Sequence, residues 1–271
     1  MVQQVKASRD ALLVEDAQRI RMMGFGVLEA VPSRSAPYEL TDPFILVHEG
    51  RFKLSEMAGV DTRHPHRGFD NIWYVLQGTA STGHSTGPNG STERVKLNEG
   101  SLLFLRTGRG VWHAEAIGED ERAAGLDDGE FRSVLFWVNL ARKDKSVDPT
   151  ALVVPGGEIP TRQDGDATIR TLVGESTGVQ LGTPALILDV ELSVGGNVKI
   201  PVPREFQGFA YMLEGEATFG ANARRARPPQ LVLLGPGDEL AVTDAAPGTR
   251  FMLMTGKPYH EVPHFNGPFV D

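Results

Sequence analysis

The sequence predicts an all-β protein made of two tandem antiparallel β-barrels of the jelly-roll type. Three observations predict this class: one half of the chain echoes the other, short runs of branched and aromatic residues recur, and turn residues separate them. The 271 residues include 31 Gly and 18 Pro, with 40% hydrophobic and 23% charged residues. This composition is typical of a globular chain with many turns. Its length allows two domains that each bury a core.

The two halves share a motif in one register. Residues 74–80 (YVLQGTA) are echoed by residues 211–217 (YMLEGEA), so Tyr211 lies 137 positions after Tyr74. Repetition at a fixed offset indicates a duplicated structural unit. We expect a boundary within residues 144–165, with an N-terminal domain at 1–145 and a C-terminal domain at 146–271. The same offset pairs Arg67 with Arg204, Phe69 with Phe206, Leu97 with Leu234 and Gly100 with Gly237.

Short strands account for most of the ordered pattern. Each candidate is rich in branched or aromatic residues, and Gly, Pro, Asn and Asp separate the candidates. Strands at this spacing, with no long helical periodicity between them, favour antiparallel barrels or jelly rolls. Residues 10–20 are the best helix candidate, and the pattern there is weak. The strand candidates are residues 72–76, 102–105, 134–138, 186–190, 209–213, 231–234 and 251–254.

Composition excludes several classes of function. The chain has no cysteine, so it has no disulfide, thiolate metal site or cysteine nucleophile. Its formal net charge of −8 disfavours direct binding to nucleic acid, which depends on cationic side chains at phosphates. The sequence shows neither a signal peptide nor an apolar stretch long enough to span a bilayer. We expect a cytoplasmic protein that binds neither membrane nor nucleic acid.

Four polar residues form two pairs with the spacing of metal ligands. His64 and His66 bracket Pro65, and His113 precedes Glu115 by two positions. On a strand, side chains two positions apart point to the same face, so each pair can direct two ligands to one ion. Proline cannot donate a ladder hydrogen bond, which places the first pair at a sheet edge. The sequence therefore predicts a metal site formed by His64, His66, His113 and Glu115.

The repeat restricts this site to one half of the chain. Adding 137 to the four positions gives Pro201, Pro203, Arg250 and Met252, none of which is a good ligand. Three imidazoles and one carboxylate suit a divalent first-row metal and leave one or two positions open. Fe(II) is the first expectation, with Mn, Ni, Co, Cu or Zn as alternatives. Asp70 is interpreted as an exposed residue or an outer ligand.

At these residues the sequence resembles the pirin family, a branch of the cupin superfamily. The resemblance extends from about residue 44 to residue 270, and the His-Pro-His-Arg-Gly-Phe run is its most specific part. It implies a bicupin, two fused cupin barrels, with iron held by His64, His66, His113 and Glu115. The chain departs from the family at Thr82, where a histidine is usual, and at residues 99–101, where Pro-Gly-Asp is usual. The matching segments are residues 64–70 (HPHRGFD), 74–78 (YVLQG), 108–115 (GRGVWHAE), 136–140 (FWVNL) and 267–270 (GPFV).

The resemblance implies two classes of function. One is a quercetin 2,3-dioxygenase, in which a flavonol chelates the metal and dioxygen opens its central ring with loss of carbon monoxide. In that case Glu115 is a fourth ligand or the base that takes the proton of the 3-hydroxyl group. The other is a non-catalytic, iron-dependent redox sensor or co-regulator that binds a transcription factor or a metabolic enzyme. An open metal position in a concave barrel favours the enzyme, acting on a small aromatic chelating substrate. We expect a monomer, because two barrels in one chain can supply the contact that single barrels obtain by dimerising.

Overall fold

The computed structural model describes residues 6–22, 24–57, 62–117 and 129–271, and these residues are mostly β-strand. This confirms the predicted fold class of two antiparallel cupin barrels. Within the described residues the helical elements are one short α-helix, α1 (Tyr38–Thr41), and 3-10 turns at Leu54–Met57, Pro88–Gly90, Arg142–Asp144 and Gly156–Glu158. None of the described helices is long and apolar enough to cross a membrane.

Twenty-four strands are assigned in the described residues. The first twelve are β1 (Ala11–Asp16), β2 (Gln18–Met22), β3 (Phe25–Val31), β4 (Phe44–Lys53), β5 (His64–His66), β6 (Phe69–Gln77), β7 (Ala80–His84), β8 (Glu93–Leu97), β9 (Leu102–Arg106), β10 (Val111–Ile117), β11 (Glu130–Asn139) and β12 (Thr150–Val154). The others are β13 (Thr161–Asp164), β14 (Ala167–Val173), β15 (Ala185–Leu192), β16 (Val198–Pro201), β17 (Gln207–Glu214), β18 (Ala217–Phe219), β19 (Arg224–Ala226), β20 (Gln230–Leu234), β21 (Glu239–Thr243), β22 (Thr249–Gly256), β23 (Phe265–Asn266) and β24 (Phe269–Val270).

The chain divides into two compact units assembled from non-contiguous segments. The N-terminal barrel contains Arg19–Glu29, Phe44–Ile159 and Glu261–Asp271, and the C-terminal barrel contains the segment ending at Gln18, Ala30–Pro43 and Pro160–His260. These units differ from the contiguous ranges 1–145 and 146–271. The reason is that each terminal segment belongs to the barrel formed mainly by the other half of the sequence. Strand β1 pairs with β20, and the Val270 N–H donates to the Arg67 carbonyl.

Each barrel consists of a seven-stranded sheet and a four-stranded sheet. In the N-terminal barrel the strand orders are β12-β9-β6-β11-β4-β3-β2 and β5-β10-β7-β8. In the C-terminal barrel they are β1-β20-β17-β22-β15-β14-β13 and β16-β21-β18-β19. All pairings between these strands whose register is described are antiparallel.

The central strands are buried on both faces, and this explains their continuous apolar sequences. Strand β6 has eight buried residues followed by the exposed Gln77, and β17 is similar, with six consecutive buried residues. The weak helix candidate at residues 10–20 is wrong, because β1 and β2 occupy this segment. Its mixed polar and apolar pattern reflects partly exposed strands, with burial alternating along β2.

The pairing registers show which residues of the C-terminal barrel correspond to the predicted ligands. In the N-terminal barrel His64 lies opposite His113, next to Pro65 opposite Trp112. In the C-terminal barrel Ile200 lies opposite Leu240, next to Pro201 opposite Glu239. The segment Ile200-Pro201-Val202 is thus the counterpart of His64-Pro65-His66, and Leu240 is the counterpart of His113.

The same comparison gives the counterpart of Glu115. Glu115 lies opposite Thr82, which is two positions after Ala80. Val242 lies opposite Phe219, which is two positions after the matching Ala217. Val242 is therefore the counterpart of Glu115. The counterparts predicted from a constant offset are therefore wrong. Arg250 and Met252 lie on β22, which pairs with β15 and β17 as β11 pairs with β4 and β6. For His64 and His66 the counterparts differ from the offset by one position. For His113 and Glu115 the offset fails further, because the hairpin of β7 and β8, with residues 85–92 between the strands, is longer than that of β18 and β19, with residues 220–223 between them.

Candidate metal centre

Three histidines meet on the inner face of the four-stranded sheet of the N-terminal barrel. His64 and His66 belong to the edge strand β5, and His113 lies opposite His64 on β10. His66 and His113 are each 3% exposed. The predicted alternation therefore holds for these three residues, and Pro65 lies at the sheet edge as expected.

The ring nitrogens converge to within the spacing that one metal ion requires. The Nε2 atom of His64 lies 2.9 Å from Nε2 of His66 and 2.9 Å from Nε2 of His113. Ligand atoms about 2.1 Å from one metal, at right angles to each other, are roughly 3 Å apart. The three residues form a group that could hold a metal ion. A three-histidine site agrees with the predicted preference for a first-row transition metal.

The outer ring nitrogens explain why the inner nitrogens are free to bind. Nδ1 of His64 contacts the carbonyl of Thr62, and Nδ1 of His66 lies 3.4 Å from the carbonyl of Pro268. A carbonyl only accepts hydrogen bonds, so each Nδ1 carries the proton and each Nε2 presents a lone pair. Lone pairs that face each other at 2.9 Å repel, and a cation between them removes the repulsion. The donor set therefore fits a bound metal ion.

Burial keeps two of these rings neutral. Burial, together with the proximity of His64, lowers the pKa of His66 to about 3, and the Pro268 carbonyl opposes this only in part. Burial and the neighbouring histidines also hold the pKa of His113 well below its usual value. Metal binding requires neutral imidazole, so these rings are in the form that binds metal.

Glu115 lies beside the group but on its outer side. Its Oε1 atom is 3.8 Å from Nδ1 of His113, the nitrogen that points away from the other two rings. Burial raises the pKa of the Glu115 carboxyl, and attraction to His64 partly offsets this. Thr62 fixes the backbone here, since its hydroxyl donates to the Glu115 carbonyl and accepts from the Glu115 N–H. Coordination by Glu115 stays a prediction.

A C-terminal segment secures the histidine strand. The Lys145 ammonium is buried and donates to the carbonyls of Gly68 and Val270 and to Oδ1 of Asn139. Burial lowers the pKa of Lys145 to about 8, against the attraction of Asp271. Lys145 therefore joins the loop after His66 to the segment that carries Pro268. Sequence reasoning missed this contact, because two of its three partners are backbone carbonyls.

Three other polar residues of the N-terminal barrel, Asp70, His84 and Thr82, lie outside the three-histidine group. Asp70 is fully buried and forms a bidentate ion pair with Arg106, so the expectation of an exposed residue is wrong. His84 lies opposite His113 on β7, yet it is not part of the three-histidine group. Thr82, where the family usually has histidine, is buried opposite Glu115.

An apolar cavity of about 70 Å³ lies between the two sheets of the N-terminal barrel, on the side of this centre where Glu115 lies, and none of the three histidines lines it. Glu115 and Thr62 line one side, and His48 and Ser133 contribute polar atoms from the larger sheet. Its apolar walls include Phe25, Val27, Phe52, Trp73, Ile117 and Leu135. The arrangement combines a possible metal site with an aromatic pocket, which suits a small chelating ligand.

The fold and site together define a bicupin with a candidate three-histidine metal centre in one barrel. Residues 25–138 match the pirin family, and residues 187–271 match the pirin C-terminal cupin domain. Pirin of Homo sapiens is 33% identical over 238 residues, which cover 84% of this chain and 76% of that protein. The chain belongs to the pirin family.

Solved structures share the fold over almost the whole chain. A quercetin 2,3-dioxygenase from Acinetobacter baumannii has a TM-score of 0.84 at 23% identity, covering 97% of this chain and 92% of that chain. The bacterial pirin YhhW from Escherichia coli, in complex with nickel(II), has a TM-score of 0.68 at 12% identity, covering 94% and 99%. At these identities the similarity is one of fold.

Proposed function

We propose that this protein is a metal-dependent dioxygenase of the quercetin 2,3-dioxygenase type, with iron held by His64, His66 and His113. The observation that carries the proposal is the convergence of three imidazoles near an aromatic cavity that also contains a carboxyl group. The similar fold of a protein named quercetin 2,3-dioxygenase supports it. The predicted cytoplasmic location and monomeric state stay predictions.

A bound iron would supply an open coordination position and redox chemistry toward dioxygen. The residues of this chain have three further tasks. The aromatic walls orient the ligand rings and exclude water. Glu115 takes the proton of the 3-hydroxyl group as that oxygen becomes a chelating atom, for which its position on the cavity wall is suitable. Both atoms of dioxygen enter the ring-opened product, and one ring carbon leaves as carbon monoxide.

The cavity must widen to admit a flavonol. Its volume of about 70 Å³ is below the ~300 Å³ at the lower end of typical ligand pockets. Met22, Phe25 and Phe52 line it and are partly exposed. Methionine is flexible, and the two phenylalanine rings contact each other edge to face. We expect these three side chains to move apart when the ligand enters.

The test combines metal analysis with turnover. Purified protein loaded with Fe(II) is expected to hold about one iron per chain and to consume quercetin and oxygen with release of carbon monoxide. The variant His113→Ala is expected to lose metal and activity, because one of three ligands is missing. His264→Ala, which changes an exposed histidine, is the matched control and should behave as wild type. Protein that takes up no Fe(II) would contradict the proposal.

A second candidate function is an iron-dependent co-regulator without turnover. Trp112 favours it, because this side chain is 50% exposed and lies between the inward residues Val111 and His113. The Arg63 guanidinium lies over its ring, 5.2 Å from the centroid. Exposed tryptophan and arginine are typical of binding hot spots. Iron that binds and changes oxidation state, without turnover of several flavonols, would favour this function.

A further inference from the structure

A second polar pair lies on the larger sheet of the N-terminal barrel, away from the three histidines. His48 is on β4 and Glu29 on β3, and Nε2 of His48 lies 2.9 Å from Oε2 of Glu29. His48 is 3% exposed and lines the cavity that also contains Glu115. The other ring nitrogen, Nδ1, is buried with no hydrogen-bond partner among the residues that the structure describes.

The contact with Glu29 determines what the free nitrogen can do. A carboxylate only accepts hydrogen bonds, so the proton of the neutral ring is on Nε2 and Nδ1 presents a lone pair. Burial lowers the pKa of His48, and the hydrogen bond to Glu29 opposes this only in part. The ring is therefore a neutral acceptor at the cavity wall.

A purely structural role for His48 does not explain why its buried Nδ1 atom has no hydrogen-bond partner among the described residues. Buried polar atoms in proteins almost always have a partner, and an unpaired one costs about 1–3 kcal/mol. His48 lines the cavity together with apolar side chains, including Val27, Trp73 and Leu135. A hydroxyl group of a ligand would satisfy the nitrogen, whereas a wholly apolar ligand would leave it unpaired.

The position of His48 relative to Glu115 specifies the ligand. His48 belongs to the seven-stranded sheet and Glu115 to the four-stranded sheet, and packed sheets lie about 10 Å apart. Both side chains line one cavity whose other walls include Phe25, Phe52 and Trp73, so one aromatic ligand between the sheets can contact both. We propose that His48, oriented by Glu29, determines specificity by accepting a hydrogen bond from a hydroxyl group on an aromatic ring of the substrate. This rests on the proposed function, since the chelating end of the same ligand would face the metal site.

Binding measured without turnover tests the proposal. Nickel-loaded protein is titrated in the absence of oxygen with quercetin and with 3-hydroxyflavone, which has the chelating pair but no other hydroxyl group. Wild type is expected to bind quercetin about tenfold more tightly or better, because 3-hydroxyflavone leaves Nδ1 unpaired. His48→Leu is expected to bring the ratio of the two Kd values near one, mainly by weakening quercetin.

A second variant separates the hydrogen bond from the general effects of substitution. His48→Asn keeps an acceptor atom attached to Cγ, as Nδ1 is, and is expected to retain most of the preference for quercetin. Both variants should hold as much nickel as wild type. A His48→Leu variant that retains the preference, or a wild type that binds both flavonols equally or neither, would overturn the proposal. The same titrations on metal-free protein separate this outcome from a failure of the metal chemistry.

Discussion

The two barrels use the same backbone positions for opposite purposes. In the N-terminal barrel the inner face of the edge strand presents His64 and His66, and in the C-terminal barrel it presents Ile200 and Val202. The latter pair is 1% and 2% exposed and belongs to the hydrophobic core. Across the sheet His113 corresponds to Leu240, which is fully buried.

This difference shows how one scaffold separates stability from chemistry. Aliphatic side chains fill the C-terminal barrel and contribute about 1.5–3 kcal/mol each by burial. In the N-terminal barrel the same space holds nitrogen atoms with facing lone pairs, an arrangement that stabilises the fold only when a cation is bound. The proline between the two inner residues, Pro65 or Pro201, is common to both barrels and belongs to the scaffold.

The largest expected effect comes from giving the N-terminal barrel the inner residues of the other one. The double substitution His64→Ile and His66→Val removes two of the three ligands while retaining an apolar fit. Metal occupancy, measured by mass spectrometry of the intact protein, is expected to fall from about one ion per chain to none. If the double variant has a native circular dichroism spectrum and still holds about one metal ion per chain, the metal binds elsewhere.

A reciprocal pair of single substitutions has the next largest effect. Leu240→His places a polar ring in the C-terminal core and is expected to destabilise the protein by about 2–5 kcal/mol. His113→Leu in the metal-free protein is expected to change stability by less than about 1 kcal/mol or to increase it, because it removes a buried Nδ1 atom that has no hydrogen-bond partner among the described residues. Denaturant unfolding of both variants in a chelator measures this asymmetry, and equal losses would contradict it.

The smallest expected effect is on the pH dependence of the metal-free protein. The pKa values of His66 and His113 are lowered in the folded state, so the unfolded chain binds more protons below about pH 6.5. Stability is therefore lost as pH falls from about 6.5, and for His66 the loss continues toward pH 3. Glu115 has the opposite effect at pH values above the usual pKa of a glutamate. Its pKa is raised in the folded state, so the folded chain holds this proton more strongly and gains stability as pH falls there.

The double variant provides the comparison for this pH effect. It lacks His64 and His66, so its denaturation midpoint should change less between pH 7 and pH 5 than that of wild type. Equal changes of the midpoint in the two proteins would show that residues other than His64 and His66 cause the acid sensitivity.

The sequence was sufficient for the fold class and for the three histidines. Strand periodicity predicts which side chains share a face, and His64, His66 and His113 depend only on that periodicity and on the pairing of β5 with β10. The register between the two barrels required the structure, because the offset shifts by one position at the edge strand and by more after the β7–β8 hairpin, which is longer than its counterpart. The aliphatic counterparts Ile200, Val202, Leu240 and Val242 were therefore not found.

The surroundings of the site could not be read from the sequence. Thr62 and Pro268 contact the ligand rings through backbone carbonyls, and a backbone contact leaves no signal in residue type. His48 gives no signal in the sequence, because its partner Glu29 lies on another strand. Asp70 resembles a surface residue in the sequence, because its partner Arg106, which is partly exposed, lies on another strand.

The contact between Pro268 and His66 has a consequence for the order in which the site forms. These residues are 202 positions apart, and Lys145 joins the same segment to Gly68 and Val270. During synthesis His66 leaves the ribosome long before Pro268 exists, so its ring is not yet oriented. Contacts at such sequence separation form late in folding. Tight metal capture is therefore expected to be among the last events of biogenesis, after the second barrel has been made.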